Sequence, residues 1–163
     1  MNTSNYKSEI NKIIESDLEL EMKLQNICNL LKNEIDHYNW VGFYFKNGNK
    51  NELKLSKFSG APTDHTIIPF GKGICGQVAL SNDTFVVQDV AEQDNYIACS
   101  IDVKSEIVVP IFVNGENIGQ IDIDSHILNP FSKEDEELLS YVCEQISKQM
   151  EPIPYPDINI LFE

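Results

Sequence analysis

Four cysteines, Cys28, Cys75, Cys99 and Cys143, are the residues of this 163-residue chain best suited to covalent chemistry, and their settings differ. Cys28 falls among Ile27, Leu30 and Leu31, and Cys143 follows Val142. Both lie on apolar stripes at helical spacing, which reads as a packing role. Cys75 follows Gly71-Lys72-Gly73-Ile74 near the expected start of a short helix, where unpaired N–H groups and the helix dipole favour a thiolate. Cys99 stands in a long polar loop as Tyr96-Ile97-Ala98-Cys99-Ser100. A loop thiol is a better candidate for reactivity than one on a core stripe, with an incidental thiol as the evenly weighted alternative. The four are too few for a disulfide-stapled scaffold and lack the C-x-x-C spacing of a zinc site.

Carboxylates supply the second clue. In Gly119-Gln120-Ile121-Asp122-Ile123-Asp124-Ser125 a strand period of two puts Asp122 and Asp124 on one face and the isoleucines on the other. Two like charges side by side point to a bound organic cation or a metal, for which only His126 nearby adds a nitrogen. The alternative is a solvent-facing edge in a chain with 26 acidic residues. Glu106 opens the apolar strand Glu106-Ile107-Val108-Val109-Pro110, either as a half-buried proton donor or as a strand-end glutamate in water. Trp40 and Tyr44, four apart in a strand, share a face and either wall an apolar pocket or belong to the core.

The elements that must position these groups follow from periodicity. Apolar positions from Ile10 to Ile35 recur at helical spacing, so residues 1–36 form one helix or two, broken near Ser16-Asp17 with Asp17 as a cap. Tyr38 to Phe45 and Asn51 to Phe58 flank an Asn47-Gly48-Asn49 turn and predict a hairpin. A short strand over Thr66 to Phe70, a helical piece from Gly76 to Ser81 and a strand over Thr84 to Gln88 come next. The irregular stretch Asp89 to Lys104 is long for a connection and hints at function. Ser105 to Val113 and Asn117 to Ser125 predict a second hairpin around Asn114-Gly115. A last helix over 132–150 starts at a Ser132–Asp135 capping box, and the proline-rich 151–163 is expected to run extended. This predicts a single α+β domain over 1–163. Its centre, 37–131, is an antiparallel sheet with the terminal helices on one face and the active-site loops on the other.

Composition excludes several roles. Twelve Lys, no Arg and a net charge of -14 argue against gripping a phosphate backbone or an anionic membrane surface. No apolar run is long enough to span a bilayer, and the N-terminus lacks a secretory signal, so the expectation is a cytoplasmic protein.

Six segments stand in one order: Asn39-Trp40-Val41-Gly42-Phe43-Tyr44, Gly71-Lys72-Gly73-Ile74-Cys75-Gly76, Ile97-Ala98-Cys99, Ser105-Glu106-Ile107-Val108-Val109-Pro110, Gly119 to Ser125, and Phe131-Ser132-Lys133-Glu134-Asp135-Glu136. Together they resemble the free methionine-(R)-sulfoxide reductase family, built on a stand-alone GAF domain, over about Leu18 to Met150. The resemblance implies a GAF-like sheet and a thiol mechanism. The thiolate matching Cys99 attacks the sulfoxide sulfur and becomes a sulfenic acid, which a second cysteine converts to a disulfide. It implies that Glu106 supplies a proton and that Asp122 and Asp124 hold the substrate ammonium. Trp40 and Tyr44 pack on the S-methyl end. It implies no resident cofactor or metal, a thioredoxin-type dithiol reductant, and compatibility with a homodimer.

The chain also departs from that family. Many members carry a third cysteine ten residues before the position of Cys75, where this chain has His65, which leaves resolution to Cys75 or an external thiol. Asn95-Tyr96 stands for an expected Gly-His before Ile97, and Ser100 for an expected Asp. The competing expectation, from a different class, is a non-catalytic GAF module that binds a small ligand such as a nucleotide and regulates a partner.

Overall fold

The computed structural model describes residues 1–96 and 101–153. The predicted N-terminal helical region is two helices, α1 (Thr3–Glu15) and α2 (Leu20–Glu34). The break falls where expected, but Asp17 does not cap: Glu19 is the N-cap of α2 and makes no side-chain cap bond. The strands are β1 (Trp40–Lys46), β2 (Glu52–Ser59), β3 (Ile67–Pro69), β4 (Phe85–Val87), β5 (Ser105–Val113) and β6 (Glu116–Ser125), with α3 (Gly73–Ser81) between β3 and β4 and α4 (Lys133–Met150) last. Helix α3 begins three residues earlier than predicted, which brings Cys75 into its first turn. Among its described residues, the Asp89 to Lys104 stretch contains one short 3-10 turn, Val90–Glu92.

All six strands form one sheet in the order β3-β2-β1-β6-β5-β4, with antiparallel neighbours throughout. Both predicted hairpins are present, and their innermost strands β1 and β6 meet at the centre. On one face α1, α2 and α4 enclose the larger core, into which β1 sends Val41, Phe43 and Phe45 and β6 sends Ile121 and Ile123. Cys28 and Cys143 belong to this core, as their apolar stripes indicated. The other face carries a smaller core of Trp40, Tyr44, Leu53, Ile68, Ile74, Cys75, Val78 and Val108. The sequence pattern placed only loops there; α3 lies there too, because its Ile74, Cys75 and Val78 are apolar and need a surface to cover.

Helix α4 starts as predicted: Asp135 accepts the Ser132 N–H at 2.8 Å and the Ser132 hydroxyl at 3.2 Å. Asp135 is 1% exposed and also takes the Tyr38 hydroxyl at 2.7 Å and pairs with His37 Nε2 at 2.8 Å. This ties the last helix to the entry of β1. After Met150 the chain makes a turn, Ile153 N–H to Met150 O at 3.0 Å, rather than running extended from Glu151; residues 154–163 lie outside the described residues. Among the described residues no helix is long and apolar enough to cross a membrane.

Candidate active site

Strand register alone assembles the acidic groups. Asp122 pairs with Gly42 and Val108, and Asp124 with Trp40 and Glu106, so Trp40, Asp124 and Glu106 form one row across the sheet and Gly42, Asp122 and Val108 the next. Because side chains alternate, all of these project to the face that carries the smaller core. Glu106, Asp122 and Asp124 are 6%, 2% and 2% exposed, which removes the solvent-edge reading of the aspartates and the strand-end reading of Glu106.

Cys75 comes to this floor from above. The turn before it holds Gly71 at φ +87 and Gly73 at φ +62, a left-handed backbone that side-chain-bearing residues avoid. A Cβ on Gly76 would lie 2.6 Å from the Pro69 carbonyl oxygen, so the helix can press against the turn only without one. The Cys75 Sγ then donates to Glu106 Oε1 at 3.8 Å, and Gln120 Nε2 donates to the Cys75 carbonyl at 3.1 Å. Glu106 and the Cys75 thiol both lie close against Asp122, within 4.8 Å of its carboxyl.

The electrostatics follow from burial. Burial pushes the Cys75 thiol well up, and Asp122, Glu106 and Asp124 push it further. The thiolate expected from the helix start is therefore overturned: first-turn N–H groups are outweighed by desolvation and three acids. Burial likewise raises Asp122, against the hydrogen bonds from Glu106 and Cys75, and raises Asp124, with the Asp122 charge adding to it. Two buried carboxyl groups this close repel strongly when both are ionised, which opposes full ionisation of Glu106 and Asp122 together. Burial also pushes up the thiols of Cys28 and Cys143, which fits their packing role.

Trp40 and Tyr44 stand beside this floor with ring centroids 6.4 Å apart. Trp40 stacks on Phe58 at 5.6 Å and donates Nε1–H to the Ala61 carbonyl at 3.0 Å; the Tyr44 hydroxyl donates to the His65 carbonyl at 2.8 Å. Two cavities meet these residues. A small one of about 20 Å³ is bounded by Tyr44, His65, Lys72, Cys75, Glu106 and Asp122. A larger one of about 530 Å³ is bounded by Trp40, Asp124 and Val103, with Lys32, Asn39 and His126 on its rim. Cys99 lies outside the described residues. His126 is exposed, and the thiol and carboxyl oxygens brought together belong to Cys75, Glu106 and Asp122 rather than to Asp122, Asp124 and His126.

Residues 19–150 match the GAF domain family. The free methionine-R-sulfoxide reductase of Escherichia coli is 31% identical over 95% of this chain and 94% of its own length. The chain belongs to the GAF-domain free methionine-R-sulfoxide reductase family. Two solved structures of that family superpose closely. The enzyme of Neisseria meningitidis in complex with its substrate has a TM-score of 0.85 and 34% identity, covering 93% of this chain and 91% of the other. The reduced form of the Staphylococcus aureus protein has a TM-score of 0.83 and 40% identity, covering 91% and 95%.

Within this GAF domain the sequence reading passed over three residues that shape the site. Gln120 is fully buried and fixes Cys75; it stands two residues before Asp122, so the strand period already put it on the same face. Asn95, read only as a missing glycine, accepts the Gly73 N–H at 3.0 Å and donates to the Gly71 carbonyl at 2.7 Å, joining the long loop to the glycine turn. Lys32 reaches the large cavity from the end of α2, and nothing in its helical spacing marked it.

Proposed function

We propose that this protein reduces free L-methionine-(R)-S-oxide to methionine by thiol chemistry. The observation that carries the reading is the cluster of three buried carboxyl groups with one thiol, on the sheet face walled by Trp40 and Tyr44. Such a cluster is costly without a cation, and the substrate's ammonium supplies one. Asp124, which borders the large cavity, and Asp122 take the ammonium. Lys32 on the rim of that cavity meets the α-carboxylate, a role no Arg can fill in this chain. Trp40 and Tyr44 pack on the S-methyl end.

In the first half-reaction the Cys99 thiolate bonds to the sulfoxide sulfur. The proton held by the Glu106–Asp122 pair passes to the sulfoxide oxygen, that oxygen transfers to the Cys99 Sγ as the bond between the two sulfurs breaks, methionine leaves as the two-electron-reduced thioether, and Cys99 is left as a sulfenic acid. In the second, Cys75 condenses with that sulfenic acid, a disulfide forms and water departs. Glu106, 3.8 Å from the Cys75 Sγ, is placed to relay the thiol proton to the departing oxygen, which leaves as water; the proton spent in the first half is replaced from solvent. A thioredoxin-type dithiol then restores both thiols. His65, standing where many relatives hold a third cysteine, leaves Cys75 as the internal partner. The sensor reading is less well supported, because a floor of three carboxyls repels a nucleotide phosphate.

The test is NADPH consumption in a thioredoxin-coupled assay with the free R-sulfoxide, for the native protein and Cys99→Ser. Turnover is expected in the first and none in the second; equal rates, or none in either, would refute the reading. Mass spectrometry of the sulfoxide-treated protein should show a Cys75–Cys99 disulfide.

A further inference from the structure

We propose that in the reduced protein Cys75, Glu106 and Asp122 form a capture site for a soft divalent cation such as Zn²⁺, which blocks the site reversibly. Their ligand atoms, one sulfur and two carboxyl oxygens, all lie within 4.8 Å of one another, and the Cys75–Glu106 pair is 3.8 Å apart. Tetrahedral zinc with Zn–S near 2.3 Å and Zn–O near 2.0 Å places such ligands about 3.5 Å apart, so the cluster need contract by little more than about 1 Å. The cavity these groups share holds about 20 Å³, and a single water-sized particle needs roughly 10 to 15 Å³.

A second observation points to a ligand. Among the described residues no donor reaches Asp122 Oδ1, although the residue is 2% exposed. A buried carboxyl oxygen left without a partner is costly, and an ion in the adjoining cavity removes that cost. Thiolate with carboxylates is a donor set for zinc or cobalt rather than magnesium or calcium. Binding forms the metal–sulfur bond as the thiol proton leaves to buffer. Three protein ligands leave a position for water or for the His65 imidazole, since His65 borders the same cavity. Lys72 borders it too and its charge opposes the ion, which favours reversible capture over a structural site.

The proposal shares side chains with the reductase reading but does not depend on turnover. The reduced, metal-free full chain is titrated with Co²⁺ while the near-ultraviolet thiolate-to-cobalt charge-transfer band is followed. The band should appear in the native protein, persist in Cys99→Ser and Cys143→Ser, and vanish in Cys75→Ser. Asp122→Asn, a second variant that keeps the thiol, should weaken Co²⁺ binding by about tenfold or more. Zn²⁺ should displace the cobalt, and circular dichroism establishes that each variant is folded. No band in the native protein, a band that follows Cys99, or one that survives Cys75→Ser would overturn the proposal. Turnover without a band would sink the metal site alone; a band without turnover would sink the reductase reading alone.

Discussion

Replacing Gly42 with alanine should damage the substrate wall without touching a carboxyl or a thiol. A Cβ at Gly42 would lie 2.3 Å from Trp40 Cη2 and 2.5 Å from Cζ3, where ordinary contact begins at 3.4 Å, so the indole must retreat by about 1.1 Å. It has little room to do so. A Cβ on Gly60 would come within 2.6 Å of Trp40 Cδ1, which shows how closely that backbone already approaches the ring. Phe58 stacks on the indole at an interplanar angle of 18°, and the Nε1–Ala61 hydrogen bond fixes its in-plane rotation. Overpacking of this kind costs about 1 to 3 kcal/mol of stability, and an ångström of misplacement in a substrate wall costs on the order of 100-fold in kcat/KM. Trp40 is the single tryptophan of the chain, so fluorescence excited selectively at the red edge of the tryptophan band, where the six tyrosines do not absorb, reports on this ring. The ring is 8% exposed, and Gly42→Ala should shift its emission to the red while Tm falls by several degrees. Unchanged emission together with kcat/KM within about twofold of the native value would refute the placement of Trp40 as the wall, since a 1 Å displacement cannot leave both untouched.

Lys32→Gln should raise KM for the free sulfoxide about fivefold at unchanged kcat, the size of one partly solvated ion pair. An analogue lacking the α-carboxylate should be insensitive to the change, and equal losses for both substrates would count against the assignment. Asp135→Asn should cost about 2 kcal/mol at pH 7, the worth of hydrogen bonds to a buried charge. Burial works against ionised Asp135, but bonds from His37, the Ser132 N–H and Tyr38 outweigh it and hold its carboxyl below the ordinary value. A lowered folded-state value stabilises above the unfolded one, near pH 3.9, and the benefit is lost as pH falls through the folded value. Urea midpoints of the two proteins should therefore stay apart near neutral pH and converge as pH falls below about 3.9, whereas a constant difference would contradict the linkage.

Much of the site was legible because strand alternation is a strict period. Asp122, Asp124, Trp40 and Tyr44 needed only a period of two to share a face, and Ile121 and Ile123 confirm it by packing on the opposite side. What alternation could not supply was depth. The same pattern describes an exposed edge; α3, the β2–β3 loop and Val90 and Val103 of the long loop, distant in sequence from the strand, supply cover on that face. The thiolate expected at Cys75 failed for the same reason. A helix start is visible in Gly71-Lys72-Gly73, but the desolvation and the three carboxyls that outweigh it arrive from β5 and β6, distant in sequence. Asp17 as a cap failed locally: α2 begins two residues beyond Ser16-Asp17-Leu18, at a residue with no propensity signal. Asn95 gave no sign at all, since its two bonds to the glycine turn depend on how a long irregular loop returns.

The charge of -14 carries a local meaning that composition could not reveal. Surface acids such as Glu134 and Glu137 are exposed and cost little, whereas Glu106, Asp122 and Asp124 sit under cover, with burial opposing ionisation of the two aspartates. Burial and mutual repulsion favour the protonated forms of Asp122 and Asp124, and a bound cation would work in the opposite direction. A free amino acid brings an ammonium to that cluster, and a residue inside a peptide does not. On the proposed function, selectivity for the free sulfoxide would rest on the energy of uncompensated buried acids. The proposed divalent cation would exploit the same deficit, so one set of side chains would serve both proposals, and the Co²⁺ titration separates them.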